Sequence, residues 1–322
     1  MPMVDMPLAE LKQYQGRNPK PADFDAYWER ALKEMDAVDP QISITESDVK
    51  IPGVKCCDLY FNGTRGGRVY AKLLIPEKRE GKCPAILNFH GYTGNSGDWM
   101  GYVGYVQMGF VVAAMDCRGQ GGKSSDRTPV DGNTHHGHII RGLDDKDPDN
   151  LYYRQVYLDT ALLAKIVAGL EEVDETRIGA RGGSQGGALT VACAALSPYI
   201  KMAAPVYPFL SDYKRIWEMD MAERAYVELK EYFRRFDPRH EREEEVFNKL
   251  GYIDLQHLAD RITAKTLFFT GLMDNVCPPS TQFAIYNKIT AEKDMKIYPD
   301  FGHEGLPGQE DISASYFAEL IG

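Results

Sequence analysis

The residues most able to do chemistry lie in the segment Gly182–Gly186, which reads Gly-Gly-Ser-Gln-Gly. A short apolar run precedes Ser184, and small residues able to form a helix follow it over residues 187–195. A serine in a sharp turn between a strand and a helix is typical of a nucleophile elbow, whose flanking positions must be small because larger side chains would collide with both elements. A glycine-rich turn that merely contains a serine is the simpler alternative, so the partners of a nucleophile must be sought elsewhere in the chain.

A serine hydroxyl needs a base to take its proton, and that base needs a carboxylate to orient it. Asp274 follows an apolar segment, and His303 follows a later one, so the order along the chain is serine, acid, histidine. Both would stand in loops at the carboxyl ends of strands, where open α/β sheets bind ligands. We therefore predict a triad of Ser184, Asp274 and His303. Asp300 is the alternative acid, but it is only three residues from His303, which is a poor approach to the imidazole.

The intermediate of acyl transfer carries a negative oxygen, which backbone N–H groups aimed at it would stabilise. One donor is expected at Gln185, directly after the nucleophile. The second is expected at Tyr92, in the loop that follows the apolar segment 85–89. His90 in the same loop is interpreted as a packing residue that shapes the loop.

These residues need a sheet to position them. From Pro84 onward, short apolar runs alternate with helical stretches, which is typical of a mostly parallel sheet with helices on both faces. Residues 1–82 instead combine an amphipathic helix with antiparallel strands, of which two form a hairpin around the turn-rich residues 62–67. We predict one α/β domain over residues 1–322.

Two long segments interrupt the alternation of strands and helices. Residues 117–150 form a Gly/Asp-rich connection, and residues 207–260 form a charged helical insertion with helices expected over 218–233 and 243–250. Loops of this length in a compact domain are usually functional. We expect both segments to lie near Ser184.

Composition argues against several kinds of partner and site. The formal net charge of −10 disfavours nucleic acid and an anionic membrane surface as partners. The six cysteines include no Cys-x-x-Cys pattern and are interpreted as reduced, buried side chains, which makes a metal site built on them improbable. The N-terminus has no signal-like run, and residues 110–115 are too short to span a bilayer, so a cytoplasmic protein is expected.

Two polar motifs resemble metal sites only superficially. His135, His136 and His138 lie close together but lack acidic or cysteine partners at ligand spacing, so a structural or rim role is favoured. The charged run over residues 144–149 lacks the glycine and the terminal glutamate of an EF-hand, which favours a solvated loop over a calcium site.

Several motifs together resemble carbohydrate esterase family seven, the acetyl xylan esterases and cephalosporin C deacetylases. Arg118-Gly119-Gln120 is similar to the family's Arg-Gly-Gln motif, Gly182–Gly186 to its Gly-x-Ser-Gln-Gly, and His303-Glu304 to its His-Glu motif. The stretches 90–99, 138–145 and 207–212 are also similar, so the resemblance extends from near the N-terminus to the end.

The resemblance implies an α/β-hydrolase fold and serine chemistry without a metal or cofactor. It implies the triad and the Tyr92 and Gln185 amides given above. Arg118, Gly119, Gln120 and Glu304 would shape the site, with Arg118 bracing it rather than touching substrate, and Tyr207 and Pro208 would line the substrate pocket with Tyr92.

The resemblance also implies a substrate and an assembly. Members of the family favour short acyl groups and are often homohexamers whose active sites face an interior cavity. Such a cavity would admit acetylated sugars, short xylo-oligosaccharides and cephalosporin C, and would exclude polymeric xylan.

Other activities share parts of the same pattern. A serine peptidase of the prolyl oligopeptidase type normally needs a large gating domain, for which the residues before Pro84 are too few. A dehalogenase would carry Asp at the elbow and a dienelactone hydrolase would carry Cys, whereas thioesterase and lactonase activities stay open. A non-catalytic binding protein on this scaffold would tend to lose the serine or the histidine, and both are present.

Overall fold

The computed structural model describes residues 4–133, 137–222 and 224–322. Within them, the chain forms nine strands: β1 Ser43–Glu46, β2 Val54–Asn62, β3 Arg68–Pro76, β4 Cys83–Phe89, β5 Val111–Met115, β6 Val173–Gly183, β7 Ile200–Val206, β8 Lys265–Gly271 and β9 Lys293–Tyr298. They form one sheet in the order β1-β2-β3-β5-β4-β6-β7-β8-β9.

The sheet is antiparallel on one side and parallel on the other. β1, β2, β3 and β5 pair antiparallel, whereas β5, β4, β6, β7, β8 and β9 pair parallel. The predicted hairpin is therefore confirmed as β2 and β3. Because the six parallel strands point the same way, the loops after them meet at one edge of the sheet, and the site described below lies there.

Helices cover both faces of this sheet. The α-helices are α1 Leu8–Leu11, α2 Phe24–Asp36, α3 Val103–Gln107, α4 Tyr152–Ala168, α5 Gln185–Leu196, α6 Tyr213–Glu218, α7 Val227–Phe236, α8 Glu243–Leu250, α9 Pro279–Tyr286 and α10 Gln309–Phe317. Short 3₁₀ turns occupy Thr64–Gly66, Trp99–Tyr102, Pro148–Asn150, Arg224–Tyr226, Gly251–Ile253, Leu255–His257, Ala259–Arg261 and Ala318–Leu320.

Two hydrophobic cores lie on opposite sides of the sheet. Successive residues of β5 alternate between them, since Val111 and Ala113 join the core under α4 and α5, whereas Val112 joins the core under α3 and α10. Every residue of α4 except Lys165 is buried, because this helix is covered on its outer side as well. Because helices cover both faces of the sheet, the central strands carry apolar side chains on both faces.

The fold class is confirmed as an α/β-hydrolase sheet, but some element bounds differ from the prediction. The helix expected over 218–233 was wrong in its first half: α6 ends at Glu218, α7 begins only at Val227, and the chain between them has positive φ at Asp220 and Arg224. Among the described residues, no helix is both long enough and apolar enough to span a bilayer.

The prediction of a solvated loop over residues 144–149 was wrong in part. Asp145 is buried, and it accepts hydrogen bonds from the backbone of Asp131 (2.9 Å) and Asp147 (2.9 Å) and from Asn150 Nδ2 (3.0 Å). The Asp145 carboxylate therefore holds its own loop together instead of facing water. It supplies the acceptor that the N–H groups of the loop need.

Candidate active site

Ser184 stands at the sharp turn that joins β6 to α5, with φ 57° and ψ −118°. A non-glycine residue in such a conformation costs about 1–3 kcal/mol, which the surrounding contacts must offset. The Ser184 N–H donates to the carbonyl of Val206 (3.0 Å), and its own carbonyl accepts from Ala188 N (2.9 Å) and Phe209 N (3.1 Å). The turn is thus held by β7, by α5 and by the start of the insertion.

The two outer glycines of the motif have no room for a side chain. A Cβ at Gly182 would come within 2.6 Å of the Phe89 carbonyl oxygen, and one at Gly186 within 2.1 Å of the same atom. Both contacts are shorter than any van der Waals separation. The requirement for small residues therefore comes from the close approach of the elbow to the end of β4, which also brings the loop after β4 against Ser184.

The three side chains of the predicted triad lie within hydrogen-bonding distance of one another. His303 Nε2 is 2.9 Å from Ser184 Oγ, and His303 Nδ1 is 2.8 Å from Asp274 Oδ2. Asp274 Oδ2 accepts the hydrogen carried by His303 Nδ1. In this tautomer, Nε2 carries no hydrogen and is free to accept the serine proton. This is the arrangement that general-base activation of a serine requires.

Asp274 is held rigidly and out of water. Its side chain is fully buried, and Oδ1 accepts from the backbone N–H groups of Val276 (2.8 Å) and Cys277 (2.8 Å). The rival Asp300 is exposed to solvent. Glu304 is also exposed, and its Oε1 accepts from Gly302 N (3.0 Å), so its contact steadies the loop that carries His303.

The expected oxyanion donors come from two different elements. Gln185 is the first residue of α5, and the first N–H groups of a helix have no partner within the helix and carry its positive dipole end. Tyr92 lies in the turn closed by the bond from Gly94 N to Gly91 O (3.1 Å). Two polar side chains, those of Gln120 and Glu228, tie this turn to its surroundings.

Gln120 links the two elements that carry these donors. Its Oε1 accepts from Thr93 N (2.9 Å), next to Tyr92, and its Nε2 donates to Gln185 Oε1 (2.8 Å) and to the Tyr152 hydroxyl (3.0 Å). The preceding Gly119 has φ +64°, which a glycine adopts without strain.

The Arg118 side chain is fully buried, and its guanidinium binds a carboxylate and a main-chain carbonyl of the same chain. Its Nε and Nη2 bind the carboxylate of Asp159 at 2.7 and 2.5 Å, and Nη1 donates to the Thr64 carbonyl (2.9 Å). A two-pronged arginine–carboxylate pair of this kind fixes orientation as well as charge. Arg118 therefore anchors the segment that carries Gln120 to α4 and to the turn after β2.

His90 has both ring nitrogens engaged with the backbone. Nε2 accepts from Cys117 N (2.9 Å), so the hydrogen is on Nδ1, which lies 2.7 Å from the Gly91 carbonyl and donates to it. Burial lowers the pKa of this imidazole, which keeps it neutral. These contacts agree with a residue that shapes the loop.

Sequence reasoning missed Glu228, a buried residue of α7 in the insertion. Its Oε1 accepts from the Tyr92 hydroxyl (2.6 Å) and from His138 N (3.2 Å), and its Oε2 accepts from Ile140 N (3.0 Å). One carboxyl group thus joins the insertion, the loop after β4 and the long connection after β5. The only signal in the sequence is a glutamate among several in a charged helix, which does not distinguish it.

Glu228 is expected to position Tyr92. Glu228→Ala leaves the Tyr92 hydroxyl and the Ile140 N–H without their acceptor, so kcat should fall by about 10² through the displaced oxyanion turn, with KM changed much less. Glu228→Gln, which keeps one acceptor oxygen, should recover part of that loss. Steady-state kinetics measures both variants, and Glu244→Gln, an exposed residue of the same insertion, is the control. A loss confined to thermal stability, with kcat unchanged, would contradict the positioning role.

Glu228→Gln should also change how the free energy of unfolding depends on pH. Burial raises the pKa of Glu228 to about 7 from 4.5, although the hydrogen bonds that the carboxylate accepts oppose the shift. The folded state therefore holds this proton more tightly than the unfolded chain, and the stability it contributes is present below pH 4.5 and is lost as the pH rises through 7. Glu228→Gln should flatten the fall in the free energy of unfolding between pH 5 and 8 by up to about 3 kcal/mol.

The structure also describes the predicted residues Tyr207, Pro208 and His138. The ring of Tyr207 lies 4.6 Å from that of His303 between centroids, and the neighbouring Pro208 is buried. His138 stacks on Tyr152 at 4.7 Å, and burial lowers its pKa to about 4, which fits the structural role predicted for it. His135 and His136 lie outside the described residues.

The chain is similar to a family of known proteins over nearly its whole length. The family model described as acetyl xylan esterase (AXE1) matches residues 1–320. The chain belongs to the acetyl xylan esterase family. It is thereby placed among the carboxylic ester hydrolases.

Solved structures of this family are very similar to the chain. Acetyl xylan esterase 1 from Thermoanaerobacterium sp. JW/SL YS485 is 55% identical with a TM-score of 0.97, and the match covers 99% of this chain and 100% of that one. The acetyl xylan esterase from Paenibacillus sp. R4 is 36% identical with a TM-score of 0.93, over 98% and 99% of the two chains.

A curated relative is longer than this chain. Acetyl esterase Axe7A from Xylanibacter ruminicola is 30% identical over 295 residues, which cover 90% of this chain and 64% of that protein. More distant structures, among them a cold-adapted esterase at 14% identity and prolyl endopeptidases at 19%, share the fold alone.

Proposed function

We propose that this protein is a serine esterase that removes acetyl groups from acetylated sugars, xylo-oligosaccharides and cephalosporin C through an acyl-enzyme. The observation that carries the proposal is the chain of two hydrogen bonds from Ser184 Oγ to His303 Nε2 (2.9 Å) and from His303 Nδ1 to Asp274 Oδ2 (2.8 Å). Ser184 is half-buried, so its hydroxyl remains accessible to a substrate.

In the first step, His303 takes the proton of Ser184 as the serine oxygen attacks the acetyl carbonyl. The carbonyl oxygen becomes negative and accepts hydrogen bonds from the amides of Tyr92 and Gln185. The C–O bond to the sugar then breaks, and the sugar alcohol leaves with the proton from His303. Asp274 stays ionised throughout and stabilises the imidazolium.

In the second step, a water molecule attacks the acetyl group on Ser184. His303 takes a proton from that water and returns it to the serine oxygen as acetate leaves. No metal or cofactor is needed for either step, because the base, the charge that stabilises it and the oxyanion donors all come from the chain.

The acetyl group is proposed from the relatives, since the similar proteins are named acetyl xylan esterase or acetyl esterase. The insertion over residues 207–260 contributes two residues near the triad: Tyr207, whose ring lies 4.6 Å from that of His303, and Glu228, which accepts a hydrogen bond from the Tyr92 hydroxyl. We propose that these residues limit the space for the acyl group. We further propose that residues 1–322 act as one catalytic unit.

Activity should depend steeply on the length of the acyl chain. With p-nitrophenyl esters from acetyl to octanoyl, kcat/KM should fall sharply beyond propionyl or butyryl, since each added methylene must displace packed side chains at a cost of about 1–3 kcal/mol. Steady-state rates on the ester series measure this. Equal kcat/KM for acetyl and octanoyl esters would contradict a small acyl pocket.

We also propose that the protein assembles as a homohexamer. Ile42, Ile44 and Val49 are exposed at the free edge of the sheet, where β1 has unpaired backbone groups, and such an edge is usually covered. Sedimentation equilibrium should give six times the mass of the chain. A monomer mass at micromolar concentration would contradict the assembly.

A further inference from the structure

Gln282 is a fully buried side chain of α9 that lies against the acid of the triad. Its Nε2 donates to the Cys277 carbonyl (2.6 Å) and lies 3.5 Å from Asp274 Oδ2, the oxygen that accepts from His303. We propose that Gln282 is a positioning residue, which holds the Asp274 carboxylate in the orientation that His303 needs. Its effect on catalysis rests on the esterase function proposed above, whereas its contact with the acid does not.

The amide of Gln282 has one chemically sensible orientation. Both partners of its Nε2 are oxygens that accept hydrogen bonds, the Cys277 carbonyl and Asp274 Oδ2. Turning the amide over would place Oε1 against these two oxygens, whereas the NH₂ group has one hydrogen for each of them. The NH₂ group therefore serves the acid and the loop that carries the acid at the same time.

The two oxygens of the Asp274 carboxylate are held in different ways. Oδ1 accepts from the backbone N–H groups of Val276 (2.8 Å) and Cys277 (2.8 Å). Among the described residues, the donors to Oδ2 are the side chains of His303 and Gln282. Without Gln282, the oxygen that faces the imidazole would be held by the imidazole alone, so the carboxylate and the ring could shift together away from Ser184.

α9 is a fixed support for this contact, because the N-terminal segment binds both of its ends. Asp5, whose side chain is buried, accepts from Ser280 N (2.7 Å) in the first turn of α9. Asn287 directly follows the helix, and its Nδ2 donates to the Leu11 carbonyl (2.9 Å). A side chain on an anchored helix can hold a catalytic group within the narrow range of positions that catalysis requires.

Packing alone does not account for a glutamine at position 282. Its Oε1 is buried and has no hydrogen-bond partner among the described residues. A buried acceptor without a partner lowers stability, so an apolar side chain of the same length would be favoured if the position only filled space. The donor that Nε2 supplies to a buried carboxylate offsets this loss, since hydrogen bonds to charged groups are the stronger ones.

Gln282→Met tests the proposal, because methionine keeps the length of the side chain and lacks the donor. With p-nitrophenyl acetate, kcat should fall about 10-fold and KM should change by less than about twofold, since Asp274 acts through the base. Gln256→Met is the matched control. Gln256 is also a buried glutamine that donates to a buried aspartate, Asp254 (3.0 Å), so its replacement should lower thermal stability and leave kcat unchanged.

Coupling to Asp274 distinguishes positioning from a general loss of structure. If Gln282 acts through the acid, adding Gln282→Met to Asp274→Asn should lower kcat by less than about twofold, because the acid is already lost. A merely structural role would lower kcat by the same factor in both backgrounds. Gln282→Leu is a second variant without the donor and should behave as Gln282→Met does, with circular dichroism confirming the fold of each.

Labelling of Ser184 by a fluorophosphonate separates this inference from the esterase function, since labelling needs the base and the acid but no acetyl group. Gln282→Met should slow labelling about 10-fold, also where the wild-type protein hydrolyses no acetyl ester. Wild-type protein that is labelled but does not hydrolyse acetyl esters would contradict the proposed function alone. An unchanged labelling rate in folded Gln282→Met, an equal loss in Gln256→Met, or unfolding of both Gln282 variants would overturn the positioning role.

Discussion

Replacing Ser184 with alanine is expected to lower kcat for p-nitrophenyl acetate on the order of 10⁶-fold and to leave the fold intact. The Ser184 hydroxyl lies 2.9 Å from His303 Nε2, and the hydrogen bonds that hold the turn are made by the main chain of residue 184. The strained backbone at position 184 is kept by main-chain bonds, which alanine can also make. Steady-state kinetics together with circular dichroism measures both parts of this expectation.

The losses of kcat caused by Ser184→Ala and by His303→Ala should not be additive. Since Ser184 and His303 act as one unit, Ser184→Ala with His303→Ala should be no slower than either single variant. The activity that remains would come from binding and from the oxyanion amides. If the double variant lost another large factor, or if Ser184→Ala kept more than a few per cent of the activity, another group would be the nucleophile.

Asp274→Asn should lower kcat by about 10⁴ without a large change in KM. The asparagine Oδ1 can still accept from Val276 and Cys277, which turns its NH₂ group towards His303. His303 Nδ1 must then accept rather than donate, so the hydrogen moves to Nε2 and the ring can no longer take the serine proton. The volume of the side chain is unchanged, and the protein should fold normally.

Asp300→Asn is the matched control for this substitution. Asp300 lies in the same loop as His303 and is the alternative acid by sequence, but it is exposed to solvent. Its replacement should change kcat by less than about twofold, as surface changes usually do. A larger loss in Asp300→Asn than in Asp274→Asn would mean that the acid has been misassigned.

Ser184, Asp274 and His303 could be predicted to lie together because each is marked by the sequence immediately around it. Ser184 lies in a motif whose glycines are required by contacts with Phe89, and Asp274 and His303 each follow an apolar strand. Parallel strands bring the ends of such segments together, so the spacing along the chain was sufficient. The roles of Arg118 and Gln120 needed coordinates, since their partners Asp159 and Gln185 are distant in sequence.

The role of Glu228 could not be predicted from the sequence. Its importance depends on a tertiary contact with Tyr92, which is 136 positions away. No periodicity marks it, because a buried carboxylate and an exposed one look alike in a charged helix. The break between α6 and α7 was missed for a related reason, since neither proline nor glycine marks the left-handed residues Asp220 and Arg224.

Trapping the acyl-enzyme tests the central claim most directly. Wild-type protein mixed with p-nitrophenyl acetate, quenched in acid during turnover and digested, should yield the peptide containing Ser184 with the added mass of one acetyl group. Ser184→Ala should yield no acetylated peptide under the same conditions. Steady turnover with acetylation at another residue, or with no acetylated peptide in a quench fast enough to capture the first turnover, would contradict the account.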